Sequence, residues 1–164
     1  MNYKIAPTTD DHIEGYCAAV ASVSSERLYL TTFSGFSLES SRAFVLGNRA
    51  KGFPHFVALD NEKVIGWCDI SSFDRPVSKH SGTLGIGILK PYRGQGIGKK
   101  LINTTIAAAK ESGLTRVDLT VRENNTNAIA LYKKVGFEIE GVLRNAIRID
   151  GLYTNSIAMA MLFD

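Results

Sequence analysis

The sequence predicts an α/β fold (α+β by the order of its elements): a single mixed, mostly antiparallel, twisted sheet of six to seven strands flanked by about four helices. Three observations predict it. Short β-branched or alternating runs recur along the chain, while other stretches repeat apolar residues at helical spacing. Their order is strand, two helices, three strands, then helix and strand in alternation, which builds one mixed sheet. A chain of 164 residues makes one domain, residues 1–164. It is long enough to bury roughly 70% of its unfolded surface without a metal or disulfide staple.

Each element has its own signal. Tyr3 to Ala6 alternates as a first strand, and Thr8 or Thr9 caps a helix running to about Ser22, with Asp10 and Asp11 in its first turn. Ile13, Tyr16, Cys17 and Val20 give that helix an apolar face. Leu38 to Ala50 is a second helix, stopped before Gly52. Between them lies an aromatic, hydroxyl-rich loop with Tyr29, Phe33 and Phe36. Pro54 to Leu59 and Val64 to Phe73 form a hairpin around Asp60-Asn61-Glu62-Lys63. Thr83 to Leu89 is a strand, Gly96 to Ser112 a helix and Arg116 to Val121 a strand. Asn127 to Val135 is a helix closed by Gly136. Phe137 to Ile147 and Tyr153 to Leu162 close the chain as a hairpin with Asp150-Gly151 in its turn.

Composition narrows the function classes. The chain is 45% hydrophobic and 21% charged, ordinary for a soluble globular domain and too apolar for a disordered one. The longest charge-free stretch, Gly151 to Phe163, is too short to span a bilayer, so no membrane association is expected. No basic-then-apolar segment opens the sequence, and Cys17 and Cys68 make neither a disulfide framework nor a metal-ligand spacing. The expected compartment is the cytoplasm. His12, His55 and His80 show no metal spacing either, so no metal is expected. A net charge of +3 is mild, and the densest basic cluster, Lys90, Arg93, Lys99 and Lys100, surrounds glycines. That suits a compact phosphate ligand better than nucleic acid.

The informative stretch runs from Thr83 to Lys100. A β-branched run meets Pro91, turns through Gly94, Gly96 and Gly98, and enters an alanine-rich helix. Glycines permit close backbone approach, and the free N–H groups of a helix start favour an anion. Two familiar nucleotide motifs fail. A P-loop needs a glycine where Arg93 stands and a Ser or Thr where Lys100 stands; a dinucleotide fingerprint beginning at Gly94 needs its third glycine at Lys99.

At these residues the chain resembles the GNAT family of N-acetyltransferases, whose pyrophosphate motif, Arg/Gln-x-x-Gly-x-Gly/Ala, fits Arg93-Gly94-Gln95-Gly96-Ile97-Gly98. A second segment, Asn125 to Phe137, looks like the family's Asn-x-x-Ala-x-x-Leu-Tyr-x-x-x-Gly-Phe. The resemblance covers essentially the whole chain. It implies acetyl-coenzyme A as co-substrate, cradled by the amides of Arg93, Gly94, Gln95, Gly96, Ile97 and Gly98 with Lys99 beside them. It implies that the strand holding Ile88 and Leu89 hydrogen-bonds the pantetheine arm. Asn125 matches a cofactor contact, and equally reads as a helix N-cap. Tyr132 matches the family's general acid, which protonates the departing thiolate; a phenol of pKa about 10 is suited to that. A core tyrosine is the competing role.

The base is less legible. Thr120 and Thr83 stand where relatives carry a glutamate. Glu26 in the aromatic loop, Asp69 on a hairpin strand and His80 before the motif strand remain as candidates, with a water chain as the alternative. The expected reaction is acetyl transfer to a primary amine of a small molecule, amino-acid or amine-like. Protein N-terminal acetylation and a non-catalytic acyl-coenzyme A module are the alternatives. Relatives often pair through late strands, so a homodimer through the last hairpin is expected.

Overall fold

A computed structural model describes residues 2–72 and 74–163. In chain order it holds β1 (Lys4–Pro7), α1 (Ile13–Ser25), α2 (Leu38–Ala50), β2 (His55–Asp60), β3 (Lys63–Ser71), β4 (Ser81–Ile88), α3 (Ile97–Glu111), β5 (Arg116–Arg122), α4 (Thr126–Val135), β6 (Glu138–Ile149) and β7 (Leu152–Leu162). The seven strands form one sheet in the order β1-β2-β3-β4-β5-β7-β6. Every neighbouring pair is antiparallel except β4 and β5. This is the expected architecture at the upper strand count. Phe73, the expected end of the third strand, lies outside the described residues.

Local chemistry places the element ends. A short 3₁₀ turn, Asp10–His12, precedes α1, and the Thr9 N–H donates to His12 Nδ1 at 3.1 Å, so α1 begins later than Thr9 alone suggests. Ser37 caps α2 by accepting from Ser40 N–H. Gly136, at φ +112°, ends α4 as the sequence requires. Asp150 and Gly151 both take positive φ, which joins β6 to β7 in a two-residue turn. That tight turn lets pairing run closer to it than expected, from Ile149 to Leu152.

Two apolar clusters cover the two sheet faces. Ile13, Tyr16, Val20 and Val23 of α1 pack with Val45 of α2 on Val57, Leu59 and Trp67. On the other face Leu101, Ile102 and Ile106 of α3 pack with Tyr132 of α4 on Ile65, Cys68, Ile70 and Leu119. Strand alternation decides the assignment: Trp67 and Asp69 face α1, while Cys68 and Ile70 face α3.

One irregularity sets up everything that follows. β4 and β5 are in register only from Ser81 to Thr83 against Arg116 to Asp118. Beyond Thr83 the strands part, β4 staying with β3 and β5 with β7. Between Leu84–Ile88 and Leu119–Arg122 the sheet therefore has a gap, rimmed by backbone groups that no strand pairs.

Candidate active site

α3 starts at the open end of this gap, and it starts without a side-chain cap. Gly96 holds the N-cap position at φ +81°, and Gly94 turns at φ +74°. The first bond back to the turn is Lys100 N–H to Gly96 O at 3.2 Å, so the four N–H groups before it find no helical partner. No protein atom lies within 4 Å of a Cβ built at Gly94 or Gly96. Exposed, unpaired amides at a positive helix end, with Lys99 alongside, form an anion-receiving cradle. These residues fit a pyrophosphate. Ile97 contributes only backbone, since its side chain is buried under α3, and Gly98 packs against Leu131 of α4.

Arg93 serves differently from expectation. Its Nε donates to Ile88 O at 2.8 Å, while Nη1 and Nη2 grip the Glu26 carboxylate at 2.8 and 2.6 Å. Tyr29 stacks against the same guanidinium at 4.8 Å. The side chain thus ties the loop after α1 to the glycine turn, and three of its five N–H groups are committed. Glu26 is corrected with it: the Arg93 hydrogen bonds hold its carboxyl below the usual range, which makes it a weak base fixed in an ion pair. That pair contributes stability only while Glu26 is charged, above its unfolded pKa, and the contribution is lost as pH falls through its lowered folded value. Glu26→Gln should therefore lower the melting temperature by a few degrees at pH 7. Melting curves taken down to pH 3 should show the difference from wild type vanishing.

Leu89 is a second correction. Its N–H donates to Ile65 O at 2.9 Å, so it faces β3. Antiparallel pairing alternates, which turns the Ile88 N–H towards the gap instead. Asn125 caps α4, its side chain accepting from Ala128 N–H at 3.3 Å. His80 is exposed before β4, at the paired end of the strand and about 16 Å along it from Gly85. It is too remote to act at the gap.

Asp69 and Tyr132 lie on opposite faces of the sheet, Asp69 on the α1 side and Tyr132 on the α3 side. On β4 the residues facing α1 are Thr83, Gly85 and Gly87. Thr83 donates to Asp118 Oδ1 at 2.8 Å and closes the narrow end of the gap. Gly87 lies directly under Trp67, whose ring occupies the place a Cβ would take. Gly85 lies under Asp69, whose carboxylate oxygens sit 3.4 and 3.5 Å from a Cβ built there. Gly87 is thus a close-approach site that lets a β3 side chain lie across β4, while a Cβ at Gly85 would be in ordinary contact with Asp69. On the other face Tyr132 is buried against the Phe137 ring at 5.8 Å. Its hydroxyl has no hydrogen bond from the described residues, yet is not among the sealed unpartnered atoms, so it keeps an opening to solvent. Burial, reinforced by the nearby Cys68 thiol, pushes the phenol above its ordinary value and keeps it protonated. A cavity of about 410 Å³ lined by Thr8, Arg49, Phe53 and His55 holds none of these groups.

Sequence inspection misses three residues here. Arg122 donates to Arg27 O at 2.8 Å and Leu30 O at 2.6 Å, anchoring the aromatic loop over β5. Arg27 in turn reaches Asp150 in the β6–β7 turn at 3.0 Å. A cation ending the β-branched run of β5 was the available signal; its carbonyl partners lie about ninety residues away in sequence.

A family model described as the Acetyltransferase (GNAT) family matches residues 24–137, from the end of α1 to the end of α4. The chain belongs to this family. Among curated GNAT relatives, the L-amino acid N-acetyltransferase AaaT of Escherichia coli is 32% identical over 108 residues, 62% of this chain and 67% of that protein. The [ribosomal protein bS18]-alanine N-acetyltransferase of Haemophilus influenzae is 29% identical over 136 residues, 82% of this chain and 90% of that protein. The crystal structure of a GNAT family acetyltransferase from Streptococcus pneumoniae superposes with a TM-score of 0.93 at 27% identity, covering 99% of this chain and 100% of that one. The GNAT fold and an acyltransferase activity towards amines are therefore those of this chain. Among the described residues no group of three or more His, Cys, Asp or Glu is able to hold a metal ion, and no helix is long and apolar enough to cross a membrane.

Proposed function

We propose that this protein moves an acetyl group from acetyl-coenzyme A to the primary amine of a small molecule, an amino acid or a compound like one, by direct transfer. The observation that carries the choice of acceptor is the three-point anchoring of the loop after α1. Arg93 holds it to the glycine turn, Arg122 to β5 and Arg27 to the β6–β7 turn. A loop pinned in this way suits a compact acceptor better than an extended chain. The E. coli amino-acid acetyltransferase is a relative of this kind.

The chain's own groups divide the work. Amides of Gly94 to Lys99 hold the pyrophosphate, and the Ile88 N–H is aimed to polarise the thioester carbonyl. Acetyl-coenzyme A supplies the activated acyl group. Tyr132 holds a proton on the α3 face, where a thiolate would leave. Thiol release measured with free amino acids, small amines and a short peptide bearing an N-terminal alanine tests the proposal. Turnover with the free compounds is expected. Turnover with the peptide alone would favour the ribosomal-protein type of acceptor, and cofactor binding with no thiol release from any amine would leave only an acyl-coenzyme A binding module.

A homodimer through the last hairpin belongs to the same proposal. β6 is the outermost strand, exposed along most of its length, and carries Ile139, Val142 and Leu143 in the open. Analytical ultracentrifugation across micromolar concentrations should show a dimer; a monomer throughout would rule this out. Cys17 and Cys68 are free thiols, which supports a reducing, cytoplasmic setting.

A further inference from the structure

We propose that Asp69 is the general base of the transfer: its carboxylate lies across Gly85 on the α1 face of the β4–β5 gap, opposite Tyr132, and takes the proton of the incoming amine. This rests on the acetyltransferase function proposed above and assigns the group that function lacks.

The placement comes from register. Asp69 pairs with Gly85, and its neighbour Cys68 pairs with Ile86. Successive strand residues face opposite sides, so Cys68 points to the α3 face where its thiol raises the Tyr132 phenol, and Asp69 points to the α1 face. The two groups therefore lie on opposite sides of the sheet, Tyr132 in the same cluster as Cys68 and Asp69 on the strand residue next to it. Attack needs a proton removed on the acceptor side and a proton delivered on the thiol side. A Cβ built at Gly85 would touch the carboxylate oxygens at 3.4 and 3.5 Å, so the carboxylate lies directly on the backbone of β4 beside the gap.

Burial and the lack of partners mark Asp69 as unusual. It is 5% exposed, and no described residue hydrogen-bonds its carboxylate. Yet the sealed unpartnered atoms are Ser24 Oγ, Asn48 Nδ2 and His55 Nε2, so the Asp69 oxygens retain an opening to solvent. Among the described residues no cation pairs with the carboxylate. Tyr16 from α1 and Cys68 on β3 are neutral acids raised by burial. His55, across on β2, is pushed down to about 4 by its own burial and by Arg49. Arg49 of α2 is engaged with Asp10 and the Thr8 carbonyl. β4 presents only Gly85. Burial accordingly pushes Asp69 up to about 7, the basicity a general base needs near neutral pH.

The step balances. An ammonium gives one proton to the Asp69 carboxylate, and the freed lone pair forms the C–N bond at the thioester carbon. The C–S bond breaks with its electron pair on sulfur, which takes the Tyr132 proton. The nitrogen of the new amide then carries one proton too many; it keeps a single N–H and gives the surplus proton to the Tyr132 oxygen, and Asp69 releases its proton to solvent.

Asp69→Asn keeps the shape and removes the base. With an acceptor that turns over in wild type, kcat should fall at least a hundredfold, and the rise in rate through about pH 7 should disappear. The deficit should shrink with hydroxylamine, which is already unprotonated at neutral pH. Stability should move the other way. A carboxyl whose folded pKa is raised loses stability as pH rises from its unfolded value near 4 to about 7, and Asn has no such loss. The variant should therefore melt several degrees higher than wild type at pH 8. Acetyl-coenzyme A affinity by calorimetry should be unchanged. A folded variant with kcat within threefold of wild type and the same pH profile would overturn the assignment of Asp69 alone. Wild type that binds acetyl-coenzyme A but acetylates no amine would overturn the function and, with it, the base.

Discussion

Tyr132→Phe is expected to lower turnover by at least a hundredfold while leaving acetyl-coenzyme A affinity nearly unchanged. A positioned general acid contributes about 10²- to 10⁴-fold, roughly 3 to 5 kcal/mol of barrier. The ring stays, so the packing against Phe137 survives. Because no described residue hydrogen-bonds the Tyr132 hydroxyl, its removal forfeits no internal bond, and the melting temperature should hold or rise slightly. An acyl donor with a better leaving thiol should narrow the deficit, since protonation then matters less. Burial holds the phenol above its ordinary pKa, so the acid should stay protonated through the alkaline range. Steady-state kinetics with a natural thioester are the check. Undiminished turnover would return Tyr132 to a packing role and leave water as the acid.

Gly96→Val should raise the dissociation constant for acetyl-coenzyme A at least a hundredfold, measured by calorimetry on folded protein. The isopropyl group would project into the space above the amides of the α3 N-terminus, where no protein atom lies within 4 Å of its Cβ. The cost to folding is separate and smaller. A left-handed conformation at φ +81° costs a side-chain-bearing residue about 1–2 kcal/mol, and a β-branched one more. At about 2–4 °C per kcal/mol for a domain of this size, the melting temperature should drop by several degrees without unfolding the chain at 25 °C. Gly52→Val is a suitable control: Gly52 has a similar φ of +72° and open surroundings, but lies far from the turn. It should show the loss in melting temperature without the loss in affinity. Equal affinity in wild type and Gly96→Val would show that the turn does not receive the cofactor.

Local chemistry made much of the fold and half of the site legible in the sequence. Gly136 after a run of helix formers, Asp150-Gly151 between two β-branched runs, and the apolar spacing of α3 each act within a few residues. The glycine turn before Lys99 belongs to the same class, because the conformation that frees its amides is set by the turn itself. The resemblance carried by Arg93–Gly98 and Asn125–Phe137 named the family that residues 24–137 match.

Side-chain partners were another matter. Arg93 belongs to the phosphate motif by sequence, yet its guanidinium is spent on Glu26, 67 residues away. Leu89 directly follows the right strand, but the alternation of β3–β4 pairing turns its N–H towards Ile65. The partners of Arg122 and Arg27 come together only where the loop after α1 meets β5 and, through Asp150, the last hairpin. Asp69 shows the division most plainly. Its sequence supplies a carboxylate in an apolar strand, and supplies Gly85 and Gly87 sixteen or more residues later as an unexplained pair. Only the register of β3 on β4 sets Asp69 over Gly85 and Trp67 over Gly87, and only the parting of β4 from β5 opens a gap beside them. Backbone conformation depends on neighbours along the chain, and the sequence determined it. Desolvation, ion pairing and the facing of two side chains across a gap depend on neighbours in space, and the tertiary structure decided those.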